Sequence, residues 1–251
     1  MTAATHDGGR LDRPSLLRLS GVELRKTVDT RSGFWLVASV LLLVVGTVVI
    51  SVLVDEPDLH HLDGMLEFAL APVTVLLPVL GILAITTEWS QRTTLTTFSL
   101  VPGRERVTTA KVLATSALAV AGVVVCLAAA AAGNLVIAGS WALEWSRLGT
   151  ALLVSVISML GGVAFGLVFL NSPAAIVLYF VLPTVWAVLG ETIGFLDRLA
   201  PWLDTSRTTT KLAEDAMASG GDWARLGTSL ALWLALPLAL GLWRVRTSEV
   251  K

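Results

Sequence analysis

Residues 34–54 read FWLVASVLLLVVGTVVISVLV, without one charged side chain. At 1.5 Å of rise per residue, a helix of this length is about 31 Å long, the thickness of a bilayer's hydrocarbon core. Strict apolar–polar alternation is absent, and the run is too long for a buried strand. The stretch reads as a transmembrane helix. Five further apolar runs, at 68–87, 112–139, 148–170, 174–196 and 226–243, have comparable length. The expected fold is therefore all-α: a polytopic membrane protein with six transmembrane helices.

Composition agrees. Of 251 residues, 55% are apolar, and the mean hydropathy is +0.77. Six spans leave no room for a separate soluble domain. Residues 14–251 are expected to form one membrane domain behind a polar, disordered tail at 1–13. That tail lacks the apolar core of a signal peptide. The net charge of −1 and the lack of a basic block give no sign of nucleic-acid binding. The single cysteine, Cys126, lies inside the third run, so no disulfide within the chain is possible.

Basic residues are distributed unevenly. Six Lys or Arg precede the first span, four lie in 88–111 and three follow residue 243, against one in 140–147 and four in 197–225. The positive-inside rule places both termini and segment 88–111 in the cytoplasm. Loop 55–67 carries Asp55, Glu56, Asp58, Asp63 and Glu67 with no base, and is expected outside. Trp35, Trp89 and Trp243 fall near the inner ends of the spans; Trp141, Trp145, Trp202 and Trp223 fall near the outer ends. Indole favours the headgroup level. Trp186 and Trp233 are deeper and are read as packing residues.

Segment 14–31, PSLLRLSGVELRKTVDTR, has Leu17, Gly21, Leu24 and Val28 at helical spacing, with Arg18, Arg25 and Lys26 elsewhere on the wheel. This is the pattern of an amphipathic helix lying in the membrane interface, in contact with lipid. A solvated flank that serves only topology is the plainer alternative. Segment 88–111, EWSQRTTLTTFSLVPGRERVTTAK, is long for a connection between spans. Residues 88–99 are compatible with a short helix offering Trp89, Leu95 and Phe98 as apolar contacts. Pro102-Gly103 makes a turn, and Arg104, Arg106 and Lys111 lead back to the membrane. Asn171-Ser172-Pro173 joins the fourth and fifth spans as a tight hairpin. Gly162 and Gly166 permit close helix approach, and Pro78, Pro183 and Pro237 interrupt three spans. In the outer segment 197–225, a helix is expected from Thr208 to Met217, ended by Gly220-Gly221.

Catalytic patterns are missing. There is no GxxxxGK[ST], HExxH, CxxC or GxSxG. His60 and His61 stand among Asp58 and Asp63, but adjacent histidines on an acidic loop are a weak metal pattern. Ionisable residues in the spans are nearly absent; Glu88 and Glu191 lie at span ends, and no proton relay is evident. A chain of this kind that moves a substrate takes its energy from a partner. The expected reading is not an enzyme, with no metal and no cofactor of its own.

From Thr86 to Lys111, the sequence TTEWSQRTTLTTFSLVPGRERVTTAK resembles the small six-span permeases of the type-2 ATP-binding-cassette (ABC) exporter family, particularly those common in actinobacteria. Glu88, Pro102, Arg104, Arg106 and Lys111 stand where that family has a glutamate, a proline-and-arginine turn and a lysine. The lead-in GVELRKTVDTRSGFW and the ending WARLGTSLALWLALPLALGLWRVRTSEVK are also similar. Arg92-Thr93 stands where many relatives have Gly-Thr.

The resemblance implies a transport subunit in a bacterial plasma membrane, paired with a second permease copy, identical or similar, above separate ATPase subunits that bind ATP and Mg. It makes Glu88, Trp89, Arg92, Leu95 and Phe98 the element coupled to the ATPase, with Glu88 and Arg92 in polar contact with the ATPase or with the neighbouring connecting helix. It makes the helix containing Leu17, Leu24, Arg25, Lys26 and Val28 a connecting helix. Drugs, antibiotics, lipids and peptides are all open as substrates. A scaffold or sensor that binds an ATPase, and a membrane-embedded lipid enzyme, are the competing readings.

Overall fold

The computed structural model describes residues 15–54, 56–90, 104–213 and 219–247. The tail at 1–13, and with it Arg92, Leu95, Phe98 and Pro102, lies outside the described residues.

A short helix, α1 (Leu16–Asp29), precedes five long ones: α2 (Arg31–Leu53), α3 (Leu62–Ser90), α4 (Arg104–Ile137), α5 (Trp145–Phe169) and α6 (Ser172–Thr192). Three short helices follow: α7 (Gly194–Asp197), α8 (Ala200–Leu203) and α9 (Thr205–Ala213). The last span is built from α10 (Gly220–Leu230), a π-helical turn at Ala231–Ala235 and α11 (Leu236–Thr247). Among the described residues, six helices, α2 to α6 and the α10–α11 rod, are long and apolar enough to cross a membrane. Each of the six sequence runs thus falls largely within one of these helices, although the run at 174–196 overshoots, because α6 ends at Thr192 and α7 begins at Gly194. Helices α3 and α4 extend well past their apolar cores into charged flanks at 62–67 and 104–111.

Helix α3 is the centre of the bundle and packs on α2, α4, α5 and α6. Met65, Ala69, Val73, Leu77, Val123, Cys126 and Met159 form the main core. Helices α3 and α5 run parallel. At Gly81 and Gly162 their backbones meet: a Cβ on Gly162 would collide with the backbone of Pro78, and one on Gly81 with the carbonyl of Met159. Gly166 approaches Ile82 and Ile85 in the same seam. The expected close approach at Gly162 and Gly166 is therefore made within this chain, against α3. Leu170, in the left-handed region at φ 52°, ends α5, and the Asn171 side chain caps α6 through the Ala174 N–H at 3.1 Å. This is the tight hairpin anticipated at Asn171-Ser172-Pro173.

Helices α3 and α6 run through Pro78 and Pro183 without a break. At Pro237, which cannot donate to the Trp233 carbonyl, the preceding turn widens to the π form. Trp233 itself donates its indole N–H to the Leu203 carbonyl at 2.7 Å.

The segment before the last span departs from expectation. Gly220-Gly221 does not end a helix but starts α10. Ser219 and Asp222 form a reciprocal capping box there, and this outweighs the glycines' low helix propensity. The preceding helix starts at Thr205, three residues earlier than read, because Asp204 accepts from the N–H groups of Ser206 and Arg207.

Candidate functional site: an ionic joint at one end of the bundle

Helix α1 lies across the end of the bundle where α3 finishes and α4 begins. Its start is capped by Ser15, whose hydroxyl accepts from the Arg18 N–H at 3.3 Å. Its end and the start of α2 meet at Thr30, which also caps α2 through the Gly33 N–H at 3.2 Å. A side chain on Gly33 would strike the Thr27 carbonyl, so glycine sets how sharply α1 folds back on α2.

The face α1 turns to the protein is not its apolar stripe. Glu23 and Thr27 are its buried residues, whereas Leu17 is 83% exposed and Leu24 and Val28 are half-buried. Inward, α1 presents charge to charge; much of the apolar stripe is left to the surroundings. That is the division an interfacial helix needs when the span ends beneath it are polar.

Four charged side chains from three helices meet there. The Lys111 ammonium, on the second turn of α4, lies 2.6 Å from Glu23 Oε2 and 3.2 Å from Glu88 Oε1, and donates to the Ala84 carbonyl at 3.2 Å. The ammonium thus donates to a carboxylate and a carbonyl and pairs by charge with a second carboxylate. Lys26 lies 2.9 Å from Glu23 Oε1 and 3.2 Å from Glu88 Oε1. The side chains of Glu23, Lys111 and Glu88 are 8%, 9% and 15% exposed, that of Lys26 42%. Among the described residues, two ammonium groups face two carboxylates. Burial works against the charged form of Glu23, but Lys111 and then Lys26 outweigh it and hold its pKa below the ordinary carboxylate value. Burial also opposes the charge on Lys26, and Glu23 and Glu88 together raise its pKa above the usual lysine value.

A cleft of about 1020 Å³ opens beside the joint, bounded by α1 on one side and by Leu80, Ala84, Val107 and Ala110 on the other. Nearby, Trp89 packs inward with Ile85, Val163, Leu167 and Val245, linking the end of α3 to α5 and α11. Glu105 and Arg246, 3.0 Å apart, tie α4 to the end of α11. Arg104 opens α4, and Arg106 is half-buried in its first turn.

Three of the residues singled out from sequence, Lys26, Glu88 and Lys111, are thus brought together, although sequence reading placed them in three separate groups. Glu23, which completes the joint, was missed. Its local signal is the i,i+3 spacing to Lys26; its partner Lys111, 88 residues away, has none. At the opposite end, His61 Nδ1 contacts Ser140 Oγ at 2.5 Å, and the backbones of His60 and Ser140 are hydrogen bonded. No group of three or more His, Cys, Asp or Glu suited to a metal ion occurs among the described residues.

The site carries no nucleophile paired with a base. What it does hold is an ion-paired connection between α1 and the ends of α3 and α4 that bracket segment 91–103. No family model matches the chain, and no curated protein does.

Proposed function

We propose that this chain is the permease subunit of an ABC exporter, working as a pair of membrane subunits over separate ATPase chains. The observation that carries the reading is the joint of Glu23, Lys26, Glu88 and Lys111. It fastens α1 to both ends of the segment that would receive a push from a partner. A chain with six spans, no ATP-binding motif and no proton relay among its apolar runs needs such a receiver. In this mechanism ATP closes the ATPase pair. The movement enters at Glu88–Phe98, passes into the ends of α3 and α4, and reaches α1 and α2 through the ion pairs. Access to the substrate path changes sides, and no covalent chemistry takes place on this chain. The basic asymmetry of the sequence supports a cytoplasmic location for the joint, where ATP is.

The test is the Leu95→Asp/Phe98→Asp double variant in complex with the ATPase. Apolar anchors at an interface are worth about 1–4 kcal/mol each when central. The variant is expected to insert normally, and to lose ATPase association or to uncouple ATP turnover from transport in liposomes. Normal assembly together with normal substrate-stimulated turnover would overturn the proposal.

A further inference from the structure

Helix α1 has three faces, and two of them are accounted for. Glu23 and Thr27 turn inward to the joint, and Leu17, Gly21, Leu24 and Val28 form the apolar stripe. The third face carries Arg18, Val22 and Arg25. Their i, i+4, i+7 spacing aligns the three side chains along two turns, about 10 Å of helix. All three are exposed, and all three border the cleft of about 1020 Å³ beside the joint.

The charge in this cleft is of two kinds. Glu23, Lys26, Glu88 and Lys111 pair with one another. Arg18 and Arg25 make no side-chain ion pair among the described residues. Asp29 also borders the cleft, one turn beyond Arg25, so the basic character is concentrated towards the Arg18 end. The opposite wall changes from apolar to charged over a short distance. Along α3 it runs from Leu83 and Ala84 to Thr87 and Glu88, about 8 Å of helix. Leu83, Ala84 and Thr87 are each only half-buried, so this wall keeps open surface. The volume is at the upper limit for small-molecule sites. A soluble anion would pair with the arginines and leave Val22, Leu83 and Ala84 uncovered. A lipid without net charge would cover those residues and leave the arginines without a counter-charge.

We propose that this cleft holds an anionic phospholipid drawn from the surrounding bilayer. Its phosphate accepts hydrogen bonds from the Arg18 and Arg25 guanidinium groups, whose planar donors suit phosphate oxygens. The start of an acyl chain lies over Val22, Leu83 and Ala84. The lipid bridges α1 and α3 beside the joint without taking part in it. Basic clefts at the membrane boundary recognise anionic headgroups in this way. The proposal rests on the six spans lying in a membrane and not on the ATPase partnership, so the two can fail separately.

The test is native mass spectrometry of the purified full chain, titrated in detergent with dioleoyl phosphatidylglycerol or dioleoyl phosphatidylcholine. The anionic lipid is expected to bind about tenfold more tightly or better. Arg18→Gln and Arg25→Gln are each expected to weaken it about fivefold and to leave phosphatidylcholine unchanged. Val22→Glu puts a carboxylate between the two arginines, at an exposed position, and is expected to remove the preference for the anionic lipid. Arg198→Gln removes an exposed base at the end of α7, which does not border the cleft, and is expected to change nothing. Glycerol phosphate, the soluble headgroup fragment, is expected not to displace the lipid. Equal affinity for the two lipids, or a loss in Arg25→Gln no larger than in Arg198→Gln, would overturn the proposal. So would displacement by glycerol phosphate, which would assign the cleft to a free phosphate ester.

Discussion

Lys111→Met removes one charge from the joint and leaves its apolar stem. In the unaltered chain the Lys111 ammonium donates to Glu23 and the Ala84 carbonyl and lies 3.2 Å from Glu88, from a side chain only 9% exposed. Without it, the largely buried Glu23 loses its shorter ion pair and keeps Lys26, and the joint loses one positive charge. Breaking a buried ion pair by removing one partner costs about 3–5 kcal/mol, because the remaining charge stays desolvated. Lys26→Met should differ. Its side chain is 42% exposed, so water already screens it, and its pairs are worth about 0–1 kcal/mol. The readout is hydrogen exchange of residues 16–29 in nanodiscs. A 14-residue helix is marginal by itself, so its amides are protected mainly while α1 is docked. At 1.4 kcal/mol per tenfold, Lys111→Met is expected to speed exchange in α1 by about two orders of magnitude or more, and Lys26→Met by about fivefold or less. Adding Glu23→Gln to Lys111→Met removes a stranded charge and should recover part of the protection. Protection in Lys111→Met within about threefold of the unaltered chain, or equal losses in the two single variants, would refute the reasoning.

Three further outcomes are expected. Glu23 has a lowered pKa, so its contribution is complete above about pH 4.3, the unfolded value, and is lost as pH falls through the lower folded value. Lys26 has a raised pKa, so its contribution is complete below about pH 10.4 and is lost as pH rises through the higher folded value. Docking of α1, by exchange corrected for intrinsic rates, should therefore be flat from about pH 5 to 10 and weaken on the acid side first below about pH 4; a transition near neutrality would contradict this. Gly162→Val places methyl groups against the Pro78 backbone and should destabilise the bundle by about 1–3 kcal/mol or more, read as a lower midpoint in thermal unfolding in detergent. Gly21→Ala, where nothing stands within 4 Å, should leave that midpoint unchanged or slightly raised. For orientation, single cysteines at Asp58 and Ser219 in a Cys126→Ala background should react with an impermeant reagent from outside intact cells, and one at Ser99 should not.

The spans were legible because a bilayer imposes a length, and a run such as 34–54 meets it with no charge to explain. Their ends were harder. Helix α3 begins at Leu62 and α4 at Arg104, inside stretches that look like charged loops. Hydropathy marks where the lipid ends, not where backbone hydrogen bonding ends. Asp63 and Glu67 sit on the first turns of α3, facing Arg147, and Lys111 sits inside α4. The misread glycines at 220–221 show a different limit. Gly-Gly is a sound stop signal by propensity, but Ser219 and Asp222, at cap and third position, outweigh it. That capping box was present in the sequence as S-G-G-D.

The joint shows why a site can be half legible. Lys26, Glu88 and Lys111 each stood out for a local reason: a place on an amphipathic wheel, a carboxylate at a span end, a base re-entering the membrane. None of those reasons states that the three meet. Meeting requires α1 to fold back at Thr30 and lie across α3 and α4, and only the packed bundle decides that. It also reverses the simplest reading of an amphipathic helix, in which the apolar stripe seeks the protein. Beneath α1 the span ends offer carboxylate, ammonium and carbonyl groups, and burying Leu17 against them would strand those groups without partners at about 1–3 kcal/mol each. Turning Glu23 inward gives the Lys111 ammonium its partner, and leaves Leu17 exposed. The inward charge and the outward stripe are one solution to a single constraint, that every polar group at the membrane boundary needs a partner.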